Sequence, residues 1–179
     1  SGGLTYDEVV TIQVTDVNDA PVLANGSFSL TTITEDDINN NGNTVGEIIA
    51  SAGGNKITDV DNSREGIAIT GTALVNGGMA KWQYSTNDGS NWHDIGSVSW
   101  TSALLLREDD WIRALPNSTD GTDPAGLPSI SFRAWDLTNG SNLEGTKVDT
   151  SSNGGSSAFS TAIETAHITV TDINDAPVN

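Results

Sequence analysis

Apolar residues recur at every second position in a series of short runs: Val10, Ile12 and Val14; Phe28 and Leu30; Ile67 and Ile69; Trp82 and Tyr84; Ile130, Phe132 and Ala134; Ala166, Ile168 and Val170. A period of two places the apolar members of each run on one face of a half-buried strand. Clusters of Asn, Asp, Gly and Ser punctuate the runs, as in NNNGN (39–43), NGG (76–78), NDGSN (87–91), NSTDGTDPAG (117–126) and SSNGG (151–155). Strands at this spacing, without a convincing amphipathic helix, predict an all-β protein, an antiparallel β-sandwich with enlarged loops. Residues 44–51 are the one stretch suited to a short helical turn.

Trp82, Tyr84 and Trp92 follow the inward alternation and are expected in the core. Trp135 alternates away from Phe132 and Ala134, while Trp100 and Trp111 border polar turns. These three are candidates for a contact surface, which outward aromatics beside acidic loops often mark. The alternative is that each covers a sheet edge. Residues 85–92, STNDGSNW, resemble the Asp-box hairpin, a folding device that pins a turn and buries its tryptophan.

An internal echo organises the chain. Residues 11–22 read TIQVTDVNDAPV and residues 167–178 read HITVTDINDAPV, identical at nine of twelve positions with an offset of 156. Self-similarity at a fixed offset marks a tandem array. Residues 1–22 are therefore expected to be the last strand and linker of a preceding repeat, and residues 23–179 a sandwich ending in the next linker. The opening Ser-Gly-Gly and closing Pro-Val-Asn read as cuts through a longer polypeptide, whose neighbouring repeats are the first partners to expect.

Charge narrows the function. The chain carries 24 acidic and 7 basic residues, a formal charge of −17, which excludes attraction to nucleic acid or anionic lipid. Cations are the natural partners. The absence of cysteine excludes disulfides and thiolate sites, and two histidines leave little for zinc. No apolar run approaches a membrane span, so direct membrane insertion is not expected.

The two echoes place Asp16, Asn18 and Asp19, and again Asp172, Asn174 and Asp175, just past a strand and ahead of a proline. Calcium takes six to eight oxygens, and D-x-N-D flanks an amide carbonyl with carboxylates on both sides. The alternative is a polar linker turn. Asp37-x-Asn39-x-Asn41-Gly42 has the spacing of the first half of an EF-hand loop, yet Ile48 stands where the bidentate glutamate would be. An ordinary Asn-rich turn is the competing reading. Asp120 and Asp123, with Asp109, Asp110, Trp111 and Trp100, form a candidate ligand surface that a calcium ion could complete, and Arg107 and Arg113 could clamp an anion nearby; solvated acidic turns are the competing reading.

An exit strand ending in D-x-N-D before a proline resembles the calcium linker of cadherin repeats, which implies a cadherin-like, immunoglobulin-like sandwich. Cadherins also carry D-x-D and A-x-D in the following domain, matched here by Asp59-Val60-Asp61 and Ala134-Trp135-Asp136. The resemblance implies that Asp59, Asp61 and Asp136 join Asp16, Asn18 and Asp19 around calcium at the amino-terminal pole, with Glu35 a further candidate. The segments ITEDDINNNGNTVGEIIAS, ITDVDN, KWQYSTNDGSNW, TSALLLREDDWIR, SFRAWD and SSNGGSSAFSTA extend the likeness to cadherin-like repeats of giant bacterial RTX adhesins. That likeness implies an extracellular, surface-bound, monomeric adhesion module stiffened by Ca2+. Two roles compete within it, capture of a ligand such as a short peptide C-terminus on another cell, and a spacer without ligand. A carbohydrate-binding module is a third reading, prompted by the aromatics. No nucleophile elbow, P-loop, zinc cluster or dinucleotide fingerprint occurs, so an enzyme is not expected.

Overall fold

The computed structural model describes residues 2–3, 8–61, 64–74, 79–116, 127–139 and 142–174. Its elements are β1 (Val22–Leu23), β2 (Phe28–Ser29), β3 (Ile33–Thr34), β4 (Asn43–Thr44), α1 (Val45–Ser51), β5 (Ile57–Thr58), β6 (Gly66–Ala73), β7 (Met79–Ser85), β8 (His93–Asp94), β9 (Ala103–Arg107), β10 (Trp111–Pro116), β11 (Ser129–Trp135), β12 (Lys147–Val148), β13 (Glu164–His167) and β14 (Val170–Thr171). A six-stranded sheet, β12-β9-β6-β11-β13-β2, accompanies a four-stranded one, β4-β10-β7-β8, and two short pairs, β1-β5 and β14-β3. The all-β sandwich-like fold expected from the period-two runs is what forms.

Between the sheets lie Phe28, Leu30, Ile67, Ile69, Trp82, Leu104, Leu106, Ile112, Ile130, Phe132, Ala166 and Ile168, one continuous buried cluster. Phe28 meets Phe132 edge to face, with ring centroids 5.3 Å apart. The ladders are antiparallel except where the end of the chain returns beside its beginning: β13 pairs parallel with β2, and β14 parallel with β3. This departs from the purely antiparallel expectation, because first and last strands that run the same way can share an edge only through a long connection.

The expected helical turn is α1. Thr44 caps it, accepting the Glu47 N–H at 3.1 Å while the Glu47 carboxylate accepts the Thr44 N–H, a reciprocal capping box. Val45, Ile48 and Ile49 face the core. Before β4, Gly42 has φ +72°, and a β-carbon there would collide with the Ile112 carbonyl.

Trp135 corrects the sequence reading. It alternates away from the main core as predicted, but it is fully buried, in a second cluster with Ala68, Ala103, Leu105, Ala158 and Phe159. The stretch after β11 folds back over the outer face of the six-stranded sheet, bridging Phe159 to Trp135, and Asn139 accepts the indole N–H at 2.7 Å. The sheet is thus covered on both faces over part of its area, and β9 reads Ala-Leu-Leu-Leu without alternation for that reason.

Residues 85–92 form the pinned hairpin. The Ser85 hydroxyl accepts the Gly89 N–H at 3.0 Å, Asn87 accepts the Asn91 N–H at 2.9 Å, and Asp88 and Gly89 take positive φ. The expected strand at Val10, Ile12 and Val14 does not form: no residue before Val22 is in a strand among those described, and these three are 78%, 81% and 87% exposed. A solitary extended segment has no ladder to satisfy its backbone. In the second echo the equivalent residues are seated, Ala166 and Ile168 buried and Val170 packed against the core. None of the helices among the described residues is long and apolar enough to cross a membrane.

Candidate metal centre

The linker that closes the first echo lies against one pole of the sandwich. Asn18 donates its side-chain amide to Asp136 Oδ2 at 2.9 Å, the Asp19 N–H reaches Asp61 Oδ2 at 2.6 Å, and the Ala20 N–H reaches the Gly155 carbonyl at 2.8 Å. Pro21 and Leu23 then bury themselves, and β1 pairs with β5, which carries the chain into Asp59-Val60-Asp61. Asp59 accepts the Asp61 N–H at 2.8 Å, folding that tripeptide into a tight turn.

Asp136 is the buried member, 1% exposed. β11 delivers it, and its Oδ1 accepts both the N–H and the hydroxyl of Thr138, at 2.8 and 2.7 Å. Asn18 makes a longer contact of 3.4 Å to the Ser157 carbonyl. Asp16 stays exposed, and its carboxylate accepts the N–H of its neighbour Val17 at 3.1 Å. A cavity of about 530 Å³ opens beside the linker, lined by Asp19, Val22, Asp59, Val60 and Gly155.

The structure therefore brings Asn18 to Asp136 and Asp19 to Asp61, with Asp19 and Asp59 on the wall of one cavity. Oxygen donors of this kind suit a hard cation. As they stand, no three His, Cys, Asp or Glu side chains among the described residues are grouped to hold a metal ion. The carboxylates of Asp59, Asp61 and Asp136 accept N–H donors of the linker and of their own turns. Sequence reasoning missed Gly155 and Ser157, whose carbonyls hold the linker, and Thr138, which ties down Asp136; for the first two the small-residue run 151–157 was the available signal, because a backbone can approach closely only where side chains are short.

Glu35 lies elsewhere than the amino-terminal pole. Its N–H donates to the Thr171 carbonyl and its Oε1 accepts the Ile173 N–H at 2.8 Å, so it stands at the exit linker with Asp172 and Asn174. Asp175 lies outside the described residues. Asp37 accepts the Thr34 N–H at 2.7 Å as a turn cap, and Asn39 and Asn41 are exposed. Asn40 is the inward residue of that loop, donating to the Ala114 carbonyl at 2.9 Å, so the alternation of a half EF-hand is not what organises it.

The candidate ligand surface is spread over different elements. Asp110 is 5% exposed and accepts the Arg107 N–H at 2.7 Å in the β9–β10 turn. Burial pushes its carboxyl up to about 6, the charges of Asp109 and Glu144 adding to the effect. Asp109 is exposed, Trp111 is half-buried at the start of β10, and Trp100 is 58% exposed. Arg113 is held within the fold: it donates twice to Gln83 Oε1, at 3.0 and 2.8 Å, reaches the Asn40 carbonyl, and stacks on Trp92 with 4.0 Å to the ring centroid. Asp120 and Asp123 lie outside the described residues. No family model, curated protein or solved structure matches this chain.

Proposed function

We propose that this chain is a calcium-stiffened repeat of a cadherin-like tandem array, an extracellular segment of a bacterial surface adhesin that acts by binding and mechanics rather than catalysis. The observation that carries the reading is the docking of the D-x-N-D linker onto the pole formed by Asp61 and Asp136. Asp16, Asn18, Asp19, Asp59, Asp61 and Asp136 would hold the ion, and Glu35, Asp172 and Asn174 would serve the next joint. When bound, calcium neutralises carboxylates that otherwise repel across the hinge, cross-linking the incoming strand to the sandwich. Asn18 and Asp19 orient the linker, and buried Asp136, tied down by Thr138, supplies the fixed oxygen of the set.

Between the two adhesin roles, the spacer has the more direct support. Arg113 is engaged with Gln83, Asn40 and Trp92, and Trp135 is buried, so two of the groups suggested for a ligand face are occupied in holding the fold. The test is calorimetry of the chelator-treated chain with added calcium. A hundredfold excess over the dissociation constant stabilises by about 2.7 kcal/mol, which raises Tm by roughly 5–11 °C in a domain of this size. Asp136→Asn should abolish most of that rise. An identical Tm with chelator and with millimolar calcium removes the proposal.

A further inference from the structure

The segment that covers Trp135 also seats the incoming linker. Residues 154–159 form a leaf closed on itself: the Gly154 N–H donates to the Phe159 carbonyl at 2.8 Å, the Ser157 N–H to the Gly154 carbonyl at 3.1 Å, and the Ser157 hydroxyl to the Phe159 carbonyl at 3.2 Å. The chain is fixed ahead of the leaf. Buried Thr150 donates its N–H and its hydroxyl to the Trp100 carbonyl, at 2.8 and 2.7 Å, and the Asn153 amide donates to the Thr150 and Ser151 carbonyls. It is fixed again just past the leaf, where Arg133 donates to the Ser160 and Thr161 carbonyls at 2.8 and 2.6 Å and the Ser160 hydroxyl accepts the Ala134 N–H at 2.9 Å. Between these anchors Gly154 and Gly155 take φ +71° and +58°, a left-handed corner that other residues enter at a cost.

The leaf meets both the sheet and the linker. Toward the sheet, Ala158 and Phe159 are buried with Trp135, and the Ala158 carbonyl accepts the Asp136 N–H at 3.2 Å. Toward the linker, the Gly155 carbonyl accepts the Ala20 N–H at 2.8 Å and the Ser157 carbonyl accepts the Asn18 amide at 3.4 Å. The same amide donates to Asp136 Oδ2 at 2.9 Å, so the Asn18 side chain bridges the leaf to the end of β11. Hydrogen bonds that end on a carboxylate are roughly twice as strong as neutral ones. The linker makes two such bonds to the pole, Asn18 to Asp136 and Asp19 to Asp61, whereas the bond of the leaf to Asp136 is neutral and longer. The linker is therefore held to the pole more firmly than the leaf is held to the sheet by its own backbone.

We propose that residues 154–159 are a flap latched by the incoming linker: docking of residues 18–20 keeps it shut over Trp135, and release of the linker lets it open from the glycine corner, uncovering the apolar cluster around Trp135. The anchor at Ser160 and Thr161 limits the opening to the leaf. Docking and closure are then a single local equilibrium, biased from the linker through Gly155, Ser157 and Asp136. A pull on residues 8–17 reaches Asn18, Asp19 and Ala20 before it reaches β1, so the flap is freed while the sheets are still intact. Release of the entry joint thereby acquires a chemical signature, an apolar surface that is exposed only when the linker is off its seat. The latch consists of direct hydrogen bonds and stands independently of the calcium reading.

The chain has no cysteine, so Ala158→Cys places a single thiol under the flap and Ala114→Cys a control thiol in the main core. The full chain is labelled with an aromatic disulfide in chelator, where the rate reads how often each thiol is uncovered. Asn18→Ala should speed labelling at 158 at least about tenfold, the equivalent of 1.4 kcal/mol, and leave 114 unchanged; adding Asp61→Ala should speed it further. Amide exchange, read on the chain without either thiol, should show the Ala20 and Asp136 N–H groups losing protection by the same factor. A parental rate at 158 once the Ala20 amide is freed, Ala20 protection that survives both substitutions, or equal acceleration at 158 and 114 would overturn the latch. All of these are read without calcium, so none of them decides the calorimetric test of calcium binding.

Discussion

Trp135 separates the sequence reading from the structural one, and replacing it measures the layer that covers it. The side chain is fully buried among Ala68, Ala103, Leu105, Ala158 and Phe159, with its indole N–H bonded to Asn139. Removing a buried tryptophan to alanine costs about 3–5 kcal/mol, transfer and cavity together. At roughly 2–4 °C per kcal/mol for a domain of this size, Trp135→Ala should lower Tm by about 6–20 °C. Trp135→Phe keeps most of the apolar area and loses the hydrogen bond, worth about 1 kcal/mol, so it should fall well short of the alanine loss. Trp100→Ala is the control: at 58% exposure it should stay within about 0.5 kcal/mol of the parent. Urea denaturation followed by far-ultraviolet circular dichroism gives both midpoint and slope. Equal midpoints for Trp135→Ala and Trp100→Ala would refute the two-sided burial of the sheet.

Asp110 should shape the pH dependence. Its folded carboxyl titrates near 6 against an ordinary value of 3.8, so the folded chain holds the proton more tightly. The contribution is full below about pH 4 and is lost as pH rises through 6. Asp110→Asn keeps an acceptor for the Arg107 N–H and cannot ionise, so its stability relative to the parent should grow between pH 4 and 7; a difference independent of pH would contradict this. Gly42→Ala, at φ +72° with its β-carbon driven into the Ile112 carbonyl, should cost at least the ~1–3 kcal/mol of a strained backbone, read as a fall in urea midpoint. Thr44→Ala removes the cap of α1 and should cost about 1 kcal/mol by the same assay.

The sandwich was legible because the period of two in Ile67–Ile69, Ile130–Phe132–Ala134 and Ala166–Ile168 is a direct imprint of half-buried strands. The linker contacts were legible in part, since the echo marked Asn18 and Asp19 and the cadherin-like pattern marked Asp61 and Asp136, and these do meet. Trp135 was misread because alternation gives the face and not what lies on it. The consecutive leucines 104–106 of β9 held the missing information, being a run that only a sheet covered on both sides accommodates. That Glu35 stands at the exit linker could not be read from its motif, because nothing local records that β3 runs beside β14.

The parallel return of the chain's end beside its beginning bears on load. Leu30 donates to His167, Ile33 to Thr169 and Glu35 to Thr171, a zipper continued by the Ile173 N–H on Glu35. A pull applied at Pro21 and at Asn174 would drag these neighbours lengthwise in opposite directions, so the bonds would be stressed together instead of peeling one at a time. Rupture would then demand the simultaneous failure of the whole seam, together with extraction of Phe28, Ala166 and Ile168 from the interior. Such a module would yield abruptly, at high tension, and stay taut until it did.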